Sequence, residues 1–443
     1  MRLRSGGDSG LTEASSRPAT SACQDALWRP WSLPGLEPST PEFVRGAGFE
    51  VWDTRGARYI DAVSAAMNAC CGHGRTEIVD AAEQQLRKLA HYDLSVALTT
   101  PPQLLARKLA TLLPQAMRHV LLANSGAEAT EAAIQVAHEY WRLCEQPRER
   151  VVAFAFGYHG STLLARHLSG LPFTRIETPS PFEVTRVELP VEPRELRHPQ
   201  SLGALAARFR NAVEHGSPPA AVIVEPFLNV GGGVVLPPGF LTELREICSR
   251  AGTLLVIDEV FCGFGRTGRM FGFDHDGISP DLVTMSKGIT GGYLPLSAVG
   301  VTDAVVDVFR AVDAPLPCGQ TTSGHAVAAA AALATIAVIE KERLVEAAAI
   351  RGGRLLDLAE PLRARSGVRD VRGLGLAVVV EFDEEPLTAA VGAQARRNGL
   401  LLRQQRNALM AIPPLVISDD AVTEIVEILT RSMRETADGE VAG

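Results

Sequence analysis

Residues 254–290 read LLVIDEVFCGFGRTGRMFGFDHDGISPDLVTMSKGIT, and two runs within them decide the fold. Leu254-Leu255-Val256-Ile257 is apolar without alternation and ends on Asp258-Glu259; Val283-Thr284-Met285 ends on Ser286-Lys287-Gly288. Strands that are apolar on both faces belong to a sheet covered on both sides. Working outward, runs of the same kind recur at Val120-Leu121-Leu122, Val151–Phe154 and Ala221–Val224, separated by helical stretches. After the first of them, Ala129, Ala132, Ala133, Val136, Ala137, Tyr140 and Trp141 share one helical stripe. Short apolar strands alternating with helices predict an α/β architecture with a mostly parallel sheet sandwiched by helices.

The 443 residues carry 51 acidic and 43 basic side chains, a formal charge of −8, which argues against nucleic acid as a partner. Seven cysteines, with only Cys70 and Cys71 adjacent, fit neither a disulfide framework nor a metal site, and suit a reducing compartment. No apolar run reaches the roughly 18 residues of a membrane span, and the N-terminus lacks the apolar core of a signal peptide. A cytoplasmic soluble protein is expected. Residues 1–25, rich in Ser, Gly, Ala and Thr, read as a disordered tail. Residues 26–80 are expected to form the N-terminal part of a smaller domain, 81–325 a large domain, and 326–443 the C-terminal part of the smaller one. Within them, VWDTRGARYI (51–60) reads as a hairpin. A helix is expected from Thr76 to Tyr92, with Ile78, Val79, Ala82, Leu86, Leu89 and Ala90 on one face.

In open parallel sheets ligands bind beyond the carboxyl ends of the strands. There the sequence places Ser125-Gly126-Ala127, Gly157-Tyr158-His159-Gly160, Glu225, Asp258-Glu259 and Lys287. Each has an ordinary reading alone: Ser125 a helix cap, Tyr158 a core aromatic, Asp258 an ion-pair partner, Lys287 a surface charge. Together they supply what pyridoxal phosphate requires. Its aldehyde needs a lysine amine for a Schiff base, and its ring nitrogen needs a carboxylate. Its phosphate needs amides at a helix N-terminus, and its ring needs apolar or aromatic plates. The Gly263–Gly268 segment fits GxGxxG, but Gly272, Gly277 and Pro280 follow where a dinucleotide fingerprint must open a helix. No GxSxG elbow supports a hydrolase, and no basic module supports a pyridoxal-dependent regulator.

SGAEATEAAIQVA (125–137) and the segment from Leu254 to Val299 resemble the phosphate-binding turn and central signature of the class III aminotransferases of fold type I. The resemblance runs from about Trp28 to Arg434 and implies a mostly parallel seven-stranded sheet. It implies Lys287 as the Schiff-base lysine and Asp258 as the partner of the ring nitrogen. Val260 and Tyr158 would lie on the two ring faces, Ser125, Gly126 and Ala127 on the phosphate, with Glu225 nearby. GQTTSGH (319–325) matches a family motif that reaches the neighbouring subunit's phosphate, so Thr321 implies a homodimer with shared active sites. The implied reaction is ping-pong transamination between an amine or amino-acid donor and a carbonyl acceptor. Epimerases, aminomutases and a decarboxylating aminotransferase share the scaffold.

The chain departs from the acetylornithine and ornithine branch at both members of a carboxylate gate. Val230 stands where that branch has Glu, and Met410 where it has Arg. Arg403, ending GLLLR ten residues before Pro413, resembles instead the mobile arginine of the ω-amine branch. Met67 stands where relatives place a pocket aromatic, Phe227 is a further lining candidate, and Phe261 replaces a commonly polar residue. An apolar amine pocket is expected.

Overall fold

The computed structural model describes residues 27–32, 40–174 and 178–441; the tail expected over 1–25 lies outside them. Its centre is a seven-stranded sheet. In chain order the strands are β1 (His119–Ala123), β2 (Val151–Phe154), β3 (Val184–Val187), β4 (Ala221–Val224), β5 (Leu254–Asp258), β6 (Leu282–Met285) and β7 (Ser297–Val301). Their spatial order is β1-β7-β6-β5-β4-β2-β3. All neighbouring pairs are parallel except the two made by β7. Every residue of β2, β4, β5, β6 and β7 is buried, as unbroken apolar strands require when helices cover both faces.

All five runs read from the sequence are strands. Two further strands carried too little signal. β3 lies at the sheet edge with only Val187 buried, and β7 is a short segment (SAVGV) of small residues. After β1, helix α1 (Gly126–Leu143) is capped by Ser125, whose Oγ accepts from the Glu128 amide at 3.2 Å. It buries Ala129, Ala132, Ala133, Val136, Ala137 and Trp141 against the sheet, and the Trp141 indole donates to the Ala220 carbonyl at 2.8 Å.

A two-stranded ribbon, Phe227–Leu228 with Val234–Val235, and two four-stranded sheets accompany this body. One joins Phe43–Ala47, Glu50–Asp53 and Arg58–Asp61 with Leu400–Leu401, and contains the expected hairpin. The other joins Val368–Gly373, Val378–Phe382, Ala408–Ala411 and Arg403–Gln405. The chain's two ends therefore build one region. The helix expected over 76–92 spans Thr76–Lys88 instead, because Leu89 turns to extended backbone. Of its apolar stripe only Ile78 is buried; Val79, Leu86 and Leu89 stay exposed. Periodicity found an apolar face but not what covers it. Among the described residues no helix is long and apolar enough to cross a membrane.

Candidate active site

Consecutive parallel strands end in register, so residues just past their carboxyl ends share one rim. A cavity of about 240 Å³ lies there, lined by Gly126 and Ala127 after β1 and by Tyr158, His159 and Gly160 after β2. Glu225 after β4, Asp258 and Val260 at β5, and Lys287 after β6 complete that face. Asn68, Asn229, Val230 and Phe261 close another side.

Asp258 is held from three directions. Its Oδ1 accepts from the Val260 amide at 3.0 Å and the Thr284 hydroxyl at 3.2 Å, and its Oδ2 lies 2.7 Å from His159 Nδ1. Both side chains of the Asp258–His159 pair are wholly buried. Burial pulls His159 down, but the hydrogen bond to Asp258 and that carboxylate's charge outweigh it and leave the ring above its ordinary value. His159 Nε2 is buried without a partner among the described residues. Lys287 is depressed by burial, against the opposing pull of Asp258 and Glu225. Its backbone sits at φ 41°, in the left-handed region, immediately after β6. Glu225 accepts the Tyr158 amide at 2.9 Å, and burial raises it to about 8.

At the α1 end of the cavity, a Cβ on Gly126 would stand 2.9 Å from Val260 Cγ1 and 3.6 Å from Ser286 Cβ. Only a bare backbone fits there. Ser125 satisfies the Glu128 amide, while the amides of Gly126 and Ala127 have no acceptor among the described residues. Two free amides at a helix N-terminus form an anion site. With a depressed lysine and an anchored carboxylate on the same cavity, these residues fit pyridoxal phosphate.

The remaining sequence candidates divide. Met67, Phe227, Phe261 and Met410 belong to one buried apolar cluster with Val379 and Ile412. The Phe227 and Phe261 rings stack at 5.6 Å. Only Phe261 of these reaches the cavity lining; Phe227, Met67 and Met410 stand behind it. Arg403 is the register partner of Met410 on the neighbouring strand, so the two share a face. Its Nε is buried without a partner, and no carboxylate lies within ion-pair distance of it among the described residues. Burial lowers its guanidinium, with Tyr158 opposing. Thr321 is exposed, away from the cavity, its carbonyl 2.9 Å from His91 Nε2.

Sequence reasoning passed over two groups. His159 stands beside Tyr158 in the sequence, and a histidine following a strand end is a signal, but its partner Asp258 is distant in the chain. The turn Ser64–Met67 left no signal: four consecutive non-glycine residues have φ of 49°, 46°, 62° and 69°. Each such residue costs about 1–2 kcal/mol, so surrounding contacts must impose the conformation.

The family model described as aminotransferase class-III matches residues 37–433. The chain is 35% identical to an adenosylmethionine-8-amino-7-oxononanoate aminotransferase of Nitratidesulfovibrio vulgaris, covering 93% of this chain and 81% of the relative. It is 32% identical to a putrescine–pyruvate aminotransferase of Pseudomonas aeruginosa, covering 89% and 90%. A thermostable (S)-enantioselective omega-transaminase from Thermomicrobium roseum superposes with a TM-score of 0.88 at 31% identity, covering 96% of this chain and all of that one. An amine transaminase from an uncultivated Pseudomonas species, solved in a PLP-bound form, gives 0.87 at 30% identity, covering 93% and 98%.

Proposed function

The chain belongs to the class-III aminotransferases, pyridoxal-phosphate enzymes that move an amino group from an amine donor to a carbonyl acceptor, and we propose that it is of the ω-amine type. Its donor is an amine whose reacting carbon bears no carboxylate, and its acceptor is a keto acid. The observation that carries this reading is Arg403. It is a largely buried guanidinium with an unpartnered Nε, on the same face as Met410 and beside an otherwise apolar wall. Val230 and Met410 offer a donor carboxylate no fixed charge, whereas Arg403 can meet an acceptor carboxylate through a charge-assisted bond. Among its relatives, an enzyme named for pyruvate as acceptor and one named an omega-transaminase accord with that choice.

Bound pyridoxal phosphate supplies an aldehyde that condenses with amines and a ring that accepts carbanion charge. The chain does the rest. Gly126 and Ala127 give backbone amides to the phosphate, with Ser125 fixing the turn. Asp258 holds the proton on the ring nitrogen, and His159 pins Asp258 by the 2.7 Å contact. Val260 and Tyr158 bound the ring, and Glu225 orients the Tyr158 backbone. Lys287 would carry the cofactor through its amine and, once freed by the donor, would move the proton off the donor carbon; burial depresses the amine, which favours the neutral form that task needs.

Thr321 does not line this cavity in its own chain, and we assign it to a partner's site in a homodimer. The exposed Leu86, Leu89, Tyr92, Val96 and Leu98 make an apolar face for that partner. The division of the chain at about residues 80 and 325 belongs to the same proposal.

The test is the visible absorbance of the cofactor-loaded protein as single donors are added without acceptor. Terminal and benzylic amines are expected to convert the bound cofactor to its amine form, and pyruvate to restore it. Conversion by α-amino acids alone would overturn the ω-amine reading.

A further inference from the structure

We propose that Asp61, tied to His73, is a positioning residue that clamps the left-handed turn Ser64–Met67 and thereby sets the amine side of the cavity. The inference rests on the ω-amine reading, since it concerns the donor pocket of that site.

The turn separates two spaces. On one side Asn68, the next residue, lines the catalytic cavity, and Met67 packs into the apolar cluster behind it. On the other side lies a second cavity of about 670 Å³, lined in part by Ala65 and Ala66, both exposed. Among the described residues nothing covers Ala65 and Ala66 at the back of the turn, so hydrogen bonds at its ends must hold a backbone that its own residues disfavour.

Asp61 supplies the first end. Its Oδ1 accepts from the Val63 amide at 3.2 Å, and its Oδ2 from the Ala65 amide at 2.8 Å. The Oδ2 also meets His73 Nε2 at 2.9 Å. Asp61 is buried, and His73 is anchored in turn by two backbone bonds with Gly48. A Cβ on Gly46 would strike the His73 Cβ and Cγ at 2.8 Å, so the ring has one seat.

The second end uses the segment that mimicked a dinucleotide fingerprint. Its Arg266 is wholly buried and has no ion pair among the described residues; burial lowers it to about 10. The guanidinium donates to the carbonyls of Leu376 and Pro413 at 3.0 and 2.6 Å, and to Ser64 Oγ at 3.4 Å. Ser64 Oγ itself donates to the Ile412 carbonyl at 2.6 Å. Ser64 is therefore pinned to the segment carrying Met410, while Asp61 fixes the residues around it. Asn68 closes the turn by donating to the Ala65 and Ala66 carbonyls at 3.1 and 3.3 Å, and the Asn229 amide meets Met67 Sδ. If the Asp61 end is released, Asn68 leaves the donor wall and Met67 the packing behind it, whereas Arg403 and the cofactor groups stay where they are.

The test is steady-state kinetics of holoenzyme with donor and acceptor varied separately, beside the cofactor absorbance. Asp61→Asn keeps the shape but weakens the acceptors, and is expected to lower kcat/KM for the amine about tenfold. The acceptor KM and cofactor absorbance should stay at wild-type values. Adding Ala65→Gly and Ala66→Gly is expected to restore most of the loss, because glycine enters the left-handed region freely. If Asp61→Asn does not fold, His73→Gln is read in its place and is expected to shift the donor parameter in the same direction by less. An unchanged donor parameter, an equal change for donor and acceptor, or no rescue by the glycines overturns the clamp. A wild type that uses only α-amino acids overturns the substrate reading instead, and the same series read with that donor still decides the clamp.

Discussion

The cavity has two walls of opposite construction. The cofactor wall is the carboxyl rim of β2, β4, β5 and β6: Asp258 ends β5, Glu225 and Lys287 stand one and two residues past β4 and β6, and Tyr158 and His159 follow β2 by four and five. The donor wall is lined by Asn68, Asn229, Val230 and Phe261, and is backed by the turn at 64–67, Phe227 and the strand segments around Arg403 and Met410. The first wall is fixed by a sheet that cannot slip without exposing its core. The second hangs on hydrogen bonds, a strained turn and side-chain packing. Chemistry is therefore anchored where the fold is stiffest, and selectivity sits where small changes are tolerated.

Variants on the two walls should differ in size and in kind. Lys287→Ala, on the cofactor wall, is expected to abolish turnover, a loss of at least about 10⁴-fold, because the proton-transfer group and covalent anchor vanish together. Retained turnover would break the comparison at its root. Asp258→Asn is expected to cost about 10²–10³-fold in kcat with every donor alike, as loss of one preorganised charge-assisted partner does. His159→Gln should follow the same pattern at about tenfold, read as a uniform fall in kcat. A donor-dependent effect of either would merge the two walls.

On the donor side, Arg403→Gln is expected to raise the KM for pyruvate about ten- to hundredfold and to leave the amine half-reaction unaltered. An equal change in both half-reactions would remove Arg403 from acceptor binding.

The smallest effect concerns pH. Glu225 is raised by burial from 4.5 to about 8, so the folded chain keeps a proton that the unfolded chain has released. Stability of the cofactor-free protein should fall as pH rises through that window. Glu225→Gln removes the titration, and should narrow the difference in melting temperature between about pH 5 and pH 9. An unaltered pH profile in the variant would show that Glu225 is not the group responsible.

The legibility of the two walls differs as well. Lys287, Asp258 and Glu225 could be grouped from the sequence because a parallel sheet turns three strand ends into one place. Met67, Phe227 and Met410 could be named but not positioned. The structure sets them behind the lining, an arrangement that depends on contacts spanning up to 343 residues of chain, from Met67 to Met410. His159 was in view without its partner, since the bond to Asp258 crosses 99 residues.

The sequence by itself determined the α/β sheet and its strands with strong apolar runs, the α1 cap, and the set of groups at the rim. These follow from local patterns of period and punctuation, which each segment carries alone. The tertiary structure alone decided the antiparallel place of β7, the exposed stripe on the Thr76–Lys88 helix and the left-handed turn at 64–67. It also turned an apparent fingerprint into the buried anchor Arg266. Each of these is set by what packs or bonds from a distant part of the chain, and no local pattern encodes a distant partner.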